Sequence, residues 1–465
     1  MAKDVSGSTG IVMMLVVIAF VTLMDGLDGS IVNVALPTMA KDFGTDTGTI
    51  AWVNLTYLIM LAGLLIVFAR ISKNGMIKKM LLGGFILFTI SSLFCGLSAS
   101  FEMLLVFRVL QGIGAAMMGA AAPIVCVKYL PGKLGLGMGV ITVGWSLGFA
   151  LGPGIGGIIT DLISWHWIFF INVPLGIVIL PLIMKAIPKD DEYSGSIDIT
   201  GAALLFSAVA LGIFAVVRSP YSEELFLVTI AAIACVIFLA AFIAAELKRE
   251  DPLLNLRVFK HWKFNAVLMG YMGGNLVYMG MLFLLPFYMS VCMAFSTTQI
   301  GLYILISPLI TLLICVPISR WSDRTERRAF AVASCAFMTI GCLVMALFAA
   351  DSMILPLVVT LVCMGLMWGI AGGPMASRII ENVEDESREM GSSVMTEFIY
   401  LGATLGTALF AMLFTFGSGA GNINFEDVPP ELFIDGFVLA AIVGTVLAAI
   451  TLVLSFIVKE PKTER

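Results

Sequence analysis

Long apolar runs, broken by short polar, basic or glycine–proline segments, dominate the chain. In order they cover Ile11–Leu36, Ala51–Ile71, Met76–Leu97, Met103–Val127, Gly137–Thr160, Trp167–Met184, Ile199–Val217, Leu225–Ala245, Phe264–Ser290, Thr298–Ser319, Ala329–Ala349, Met353–Met375, Val394–Phe416 and Gly436–Val458. A helix crosses a bilayer with about 20 mostly apolar residues, so the pattern predicts fourteen transmembrane helices. No series of segments of about ten alternating residues competes as a β-barrel signal. The expected class is an all-α integral membrane protein.

Composition strengthens this reading. The 465 residues are 60% hydrophobic and 12% charged, against about 45–50% and about 25% in soluble domains. A soluble globule, a disordered chain and a disulfide scaffold are excluded. The net charge of −5 says less than its placement. If both termini lie on one side, 23 of the 26 basic residues collect there, with Lys41 and Arg218 opposite and Arg108 within a span. By the positive-inside rule this predicts a multi-pass cell-membrane protein with both termini cytoplasmic. The first run is too long for the core of a cleaved signal.

The two halves repeat weakly. Leu36-Pro37 ends the first span and Leu285-Pro286 the ninth, and the basic loops Arg70–Lys79 and Arg320–Arg328 follow at nearly the same offset. This predicts a six-helix bundle over 1–187, two linker helices over 188–260 and a second six-helix bundle over 261–465. Repeated helical halves with a site between them are a transporter architecture. The eight Cys have no metal-ligand spacing and only two His are present. With no nucleophile–base pair, no phosphate-cradling loop and no room for a soluble domain, the expectation is no enzyme, cofactor, metal site or nucleic-acid partner.

Ionisable residues within spans carry the candidate chemistry, because a charge there persists only with a partner or a cavity. Asp25 and Asp28 lie three apart in the first span, on one helix face. Withdrawal from water favours the neutral carboxyl, so such acids can take up and release protons. The bland alternative pins either one to a backbone amine or to Arg108. Arg108 opens the run Arg108-Val109-Leu110-Gln111-Gly112-Ile113-Gly114-Ala115-Ala116. It faces a buried partner or snorkels to the interface, and its small neighbours, which permit close helix approach, favour burial. Glu397, near the start of the thirteenth span, is either a further proton site or an interfacial acid. Gly148, Gly152 and Gly156 fall every fourth residue beside Pro153 and Gly157, a stripe suited to tight packing and to rocking against a neighbour.

These motifs together resemble the Major Facilitator Superfamily, within it the fourteen-span drug:proton antiporters. Leu27-Asp28-Gly29-Ser30-Ile31-Val32-Asn33-Val34-Ala35-Leu36-Pro37 is similar to that group's first-span signature. The Arg108–Ala116 run resembles its fourth-span motif, and Gly148-x-x-x-Gly152-Pro153-x-x-Gly156-Gly157 its antiporter motif. Trp165-His166-Trp167-Ile168-Phe169-Phe170-Ile171-Asn172-Val173-Pro174 resembles the start of its sixth span. The resemblance implies a Major Facilitator fold, two six-helix bundles plus two additional central helices. In the family, the loop between spans two and three carries an Asp that latches one state. Here Arg70, Lys73 and Lys78 occupy that loop, Lys73 standing where the Asp belongs, whereas the second-half loop keeps Asp323 and Arg324.

The implied function is proton-coupled antiport, exporting small hydrophobic or cationic compounds by alternating access. Its partners would be the small-molecule substrate, protons and the lipid bilayer, and the protein is expected to be a monomer. The competing expectation is a proton-coupled transporter of one metabolite, such as an amino acid, siderophore or organic acid.

Overall fold

The computed structural model describes residues 8–130, 133–191, 198–249, 252, 254, 256–322, 325, 327–381 and 388–458. Lipid offers the backbone no hydrogen-bond partner, so each apolar run satisfies its own N–H and C=O groups as a helix. The long helices are α1 (Ser8–Phe43), α2 (Trp52–Ile71), α3 (Ile77–Gly96), α4 (Phe101–Tyr129), α5 (Leu134–Leu162), α6 (Asn172–Ala186) and α7 (Ile199–Arg218). After them come α8 (Leu225–Lys248), α9 (Trp262–Val291), α10 (Ile306–Ser322), α11 (Arg327–Phe348), α12 (Ile354–Glu381), α13 (Arg388–Ser418) and α14 (Pro430–Ile457).

Among the described residues, thirteen continuous helical stretches are long and apolar enough to cross a membrane. One of them, Thr47–Gly96, holds 50 residues, about twice what a single crossing needs. It divides at Gly75, whose φ of 119° suits a residue without Cβ. The stretch is therefore α2 and α3 joined by a tight turn, and fourteen crossings result. Short helices shape the other face. Thr47–Ile50 is capped by Asp46, which accepts from the Thr49 N–H at 2.9 Å. Thr297–Ile304 begins with a capping box between Ser296 and Gln299.

α1 packs along α5, and α4 against α2 and α3; in the second half α9 packs along α13, and α11 against α12 and α14. Two bundles result. The linker helix α7 rests on both α2 and α13, at the seam between them. α8 packs on α7 and exposes Phe226, Ile233, Val236 and Ile237, an apolar face suited to lipid.

The α1–α5 contact explains the glycine stripe. A Cβ on Gly148 would run into the Leu23 carbonyl, and one on Gly152 into Ser30 and Leu27. Only hydrogen at these positions lets the two backbones approach so closely.

Candidate functional site

Asp28 lies at the heart of the first bundle, 1% exposed. Arg108, seven residues into α4, donates from Nη1 to Asp28 Oδ2 at 2.7 Å and to Gln111 Oε1 at 2.7 Å, and from Nε to the Val53 carbonyl at 2.9 Å. Gln111, one turn on, donates from Nε2 to Asp28 Oδ1 at 2.8 Å, and Asn172 reaches the same oxygen at 3.4 Å. The Arg108 and Asp28 side chains are 1% and 0% exposed. Buried charges are tolerated when paired and hydrogen-bonded, and here both carboxylate oxygens have donors. Arg108 does not snorkel.

Asp25 has a different environment. It accepts from the Tyr57 hydroxyl of α2 at 3.1 Å and from the Tyr400 hydroxyl of α13 at 3.2 Å, with the Trp145 indole beside it. The Arg108 guanidinium stacks 4.4 Å from the Tyr57 ring centroid, a cation–π contact. The two acids of α1 are thus linked through Tyr57 and Arg108. Glu397 lies one turn before Tyr400 on α13 and is buried, and among the described residues neither of its carboxyl oxygens has a hydrogen-bond partner.

Aromatic rings continue from Trp145 towards the second bundle. Trp145 stacks on Phe149 at 4.9 Å, Phe149 lies 6.4 Å from Tyr278, and Trp368 stacks between Tyr278 at 5.7 Å and Tyr271 at 5.6 Å. A cavity of about 10 Å³ among Trp145, Phe149, Tyr278 and Trp368 has room for about one water. Towards the face bearing the termini, an apolar recess of about 490 Å³ lies between α1 and α5, lined by Phe20, Leu23, Val140, Val143 and Leu147.

At the opposite face the bundles are tied together. Thr38 and Thr297 hydroxyls meet at 3.4 Å, Thr298 donates to Asp161 at 2.8 Å, and the Phe425 N–H donates to the Thr45 carbonyl at 3.1 Å. Lys41 pairs with Glu426 at 2.6 Å, both largely exposed. The linker joins this seal: Tyr221 donates to Asp46 Oδ1 at 2.6 Å. Burial, with Asp46 beside it, pushes the Tyr221 phenol above its usual range, which keeps it a donor. Pro153 and Gly157 of α5 pack directly on Gly301.

At the terminal face, Arg70 donates to the Pro252 carbonyl at 3.0 Å, and Lys78 Nζ to the Met184 and Ile187 carbonyls at 2.7 and 2.8 Å. Lys73 is exposed on the turn before α3. A carboxylate does reach this loop, from far along the chain: Asp190 accepts from the Lys78 and Lys79 backbone N–H groups at 2.6 and 3.0 Å, where an anion complements a helix N-terminus. Lys128 holds neighbouring Asp191 below the usual carboxylate range. Asp323 and Arg324 lie outside the described residues.

Asp25, Asp28 and Arg108 therefore form one connected group, and Glu397 lies beside its Tyr400 end. The glycine stripe Gly148–Gly157 lies apart from them, as packing. Sequence reasoning missed Tyr57, Tyr400 and the rings of Tyr278 and Trp368. A usable signal was present: a tyrosine set more than a turn inside an apolar run, away from the interface it favours, has a hydroxyl that needs a buried partner.

A family profile described as Major Facilitator Superfamily matches residues 18–407. The chain is 32% identical over 410 residues to the riboflavin transporter RibZ of Clostridioides difficile (strain 630), covering 86% of this chain and 87% of that one. It is 29% identical over 409 residues to the multidrug-resistance-type protein MdtD of Salmonella newport (strain SL254), covering 85% of each. Among solved structures, a bacterial homolog of the human lysosomal transporter Spinster, inward-facing and unoccupied, superposes with a TM-score of 0.71 at 14% identity, over 97% of this chain and 98% of that one. The human organic anion transporter MFSD10 gives 0.61 at 17% identity, over 95% and 99%. At these identities the structural likeness concerns the fold alone.

Proposed function

The chain belongs to the Major Facilitator Superfamily, and from that premise we propose that this membrane transporter is a proton-coupled antiporter. It exports small hydrophobic or cationic compounds by alternating access. The bundles, taken as 1–187 and 261–465 with the linker 188–260 between them, rock about the layer holding Asp25, Trp145, Tyr278 and Trp368. The terminal face is the cytoplasmic one, in keeping with its basic residues, and the protein works as a monomer in the cell membrane. The observation that carries the reading is the linked pair of acids: Asp28 held by Arg108, and Asp25 held by tyrosines from both bundles. Asp25 and Asp28 exchange the proton as a coupled unit, Arg108 tunes Asp28, and Glu397 supplies a further site in the second bundle. Acids at this depth suit a cationic cargo, and the rings suit a flat one.

The aromatic layer and the likeness to a riboflavin transporter favour a second reading, a proton-coupled carrier of one planar metabolite. Purified protein in liposomes under an imposed pH gradient separates the two. Many unrelated dyes competing weakly with ethidium support drug export, whereas one tight competitor supports a metabolite. Asp28→Asn is expected to abolish gradient-driven ethidium accumulation while the protein stays folded by size-exclusion chromatography. Accumulation by that variant would remove Asp28 from the coupling unit.

A further inference from the structure

We propose that the hydrogen bond from Tyr400 to Asp25, which joins the two bundles near the middle of the membrane, keeps the empty carrier from reorienting, and that either a proton or a cationic cargo at Asp25 releases it. The inference rests on the antiporter reading above and assigns Tyr400 as a positioning residue that acts through Asp25.

Asp25 sits near the midpoint of α1, and Tyr400 lies well inside α13. The seal at the face opposite the termini is made by other residues: Thr38, Thr45, Asp161, Thr297, Thr298 and Phe425. Tyr400 instead ties the bundles at the level of the candidate proton site. An ionised carboxylate accepts a phenolic hydrogen bond far more strongly than a neutral carboxyl does. The bridge is therefore strong when Asp25 is ionised and empty, and weak when Asp25 holds a proton. A cationic cargo at the carboxylate competes with Tyr400 for the same oxygen and weakens it as well.

This matches what coupled exchange demands. A carrier that reorients with a proton or with cargo, and stays put with neither, converts a proton gradient into cargo movement. One that also reorients empty lets protons run down the gradient. The groups around Asp25 support this assignment. On α1, Asp28 is already engaged by Arg108. From α2, Tyr57 donates to the other Asp25 oxygen and lies under the same guanidinium. From α5 comes the uncharged Trp145, and α9, which also packs on α1, carries the phenols Tyr271 and Tyr278. From α13, Glu397 faces Tyr400, but the single Tyr400 proton is directed at Asp25, and among the described residues no donor reaches Glu397. A cargo that takes the place of Tyr400 must bring positive charge or N–H donors to Asp25 and a flat face to Trp145 and Phe149. The cargo class is a planar aromatic cation.

The test needs no cargo. Liposomes holding purified protein and the pH dye pyranine are given a pH gradient, with membrane potential clamped by potassium and valinomycin. The natural protein is expected to hold the gradient as protein-free liposomes do. Tyr400→Phe keeps the ring but loses the hydroxyl, and is expected to dissipate the gradient about tenfold faster, the rate equivalent of one lost charge-assisted hydrogen bond. Tyr400→Phe combined with Asp25→Asn is expected to be tight again, since without Asp25 the coupled pair of acids no longer takes up the proton. Size-exclusion chromatography and thermal unfolding in detergent show that each variant is folded. A tight Tyr400→Phe protein, a leaky natural protein, or a double variant as leaky as Tyr400→Phe overturns the proposal. Ethidium-driven proton release by the natural protein tests the antiporter reading separately. If it occurs while Tyr400→Phe stays tight, the bridge fails and antiport stands; if it does not occur, antiport itself fails.

Discussion

The Arg108–Asp28 pair shows how much one buried interaction constrains. Removing one partner from such a pair leaves a bare charge in a water-poor interior and costs about 3–5 kcal/mol. Arg108→Ala is therefore expected to destabilise the protein by about that amount, read as a large fall in melting temperature in detergent. Replacing both partners with apolar residues of similar volume is often neutral. Arg108→Met with Asp28→Leu should therefore recover most of the melting temperature yet carry out no gradient-driven exchange. A double variant no more stable than Arg108→Ala would mean that Gln111, Asn172 and the Val53 carbonyl, not the ion pair, set the local energetics.

Helix contacts explain why the glycine stripe must be glycine. On α5 the Cβ atoms missing at Gly148 and Gly152 would meet α1 backbone or the Ser30 hydroxyl. The second bundle repeats the device 254 residues beyond Gly148 and Gly152, where Gly402 and Gly406 of α13 face the Met272 and Leu276 carbonyls of α9. Among the described residues Gly154, on the same helix as Gly148, faces only the Leu305 side chain at 3.6 Å. Gly148→Val is thus expected to cost at least about 1–3 kcal/mol through overpacking, and Gly406→Val a similar amount. Gly154→Ala should leave stability unchanged or raise it by up to about 1 kcal/mol, since Ala is the better helix residue. Thermal unfolding of the three variants checks the order. Equal losses at all three positions would remove the seam argument.

Across the whole molecule the bundles are tied at the face opposite the termini, and the apolar recess lies on the terminal side of Trp145. The Thr38 and Thr297 hydroxyls, 3.4 Å apart, mark where a reversible lock can be built. In a background lacking the eight native Cys, Thr38→Cys with Thr297→Cys is expected to form a disulfide under mild oxidation. The bond should stop transport, and dithiothreitol should restore it. Transport that continues in fully cross-linked protein would show that this seal need not open during the cycle. Through Tyr221, just beyond α7, and Asp46 the linker joins the same seal.

The number of spans, the excess of basic residues on one side and the duplicated halves were legible along the chain. Each follows from local physics: apolar runs long enough to cross lipid, charges kept out of it, and motifs recurring at a fixed offset. Arg108, Asp25 and Asp28 stood out for the same reason, since a charge inside an apolar run needs a partner. Only the tertiary structure decided which partners those were. The three-residue spacing on α1 put both acids on one face, yet Asp28 turns to Arg108, Gln111 and Asn172 while Asp25 turns to Tyr57 and Tyr400. That division depends on helices far apart in sequence meeting at one depth. The carboxylate at the Lys78–Lys79 turn comes from Asp190, 112 residues beyond Lys78, and no local pattern at Lys73 announced it. Sequence periodicity fixes which face of a helix is polar; which neighbour that face meets is set by packing between helices.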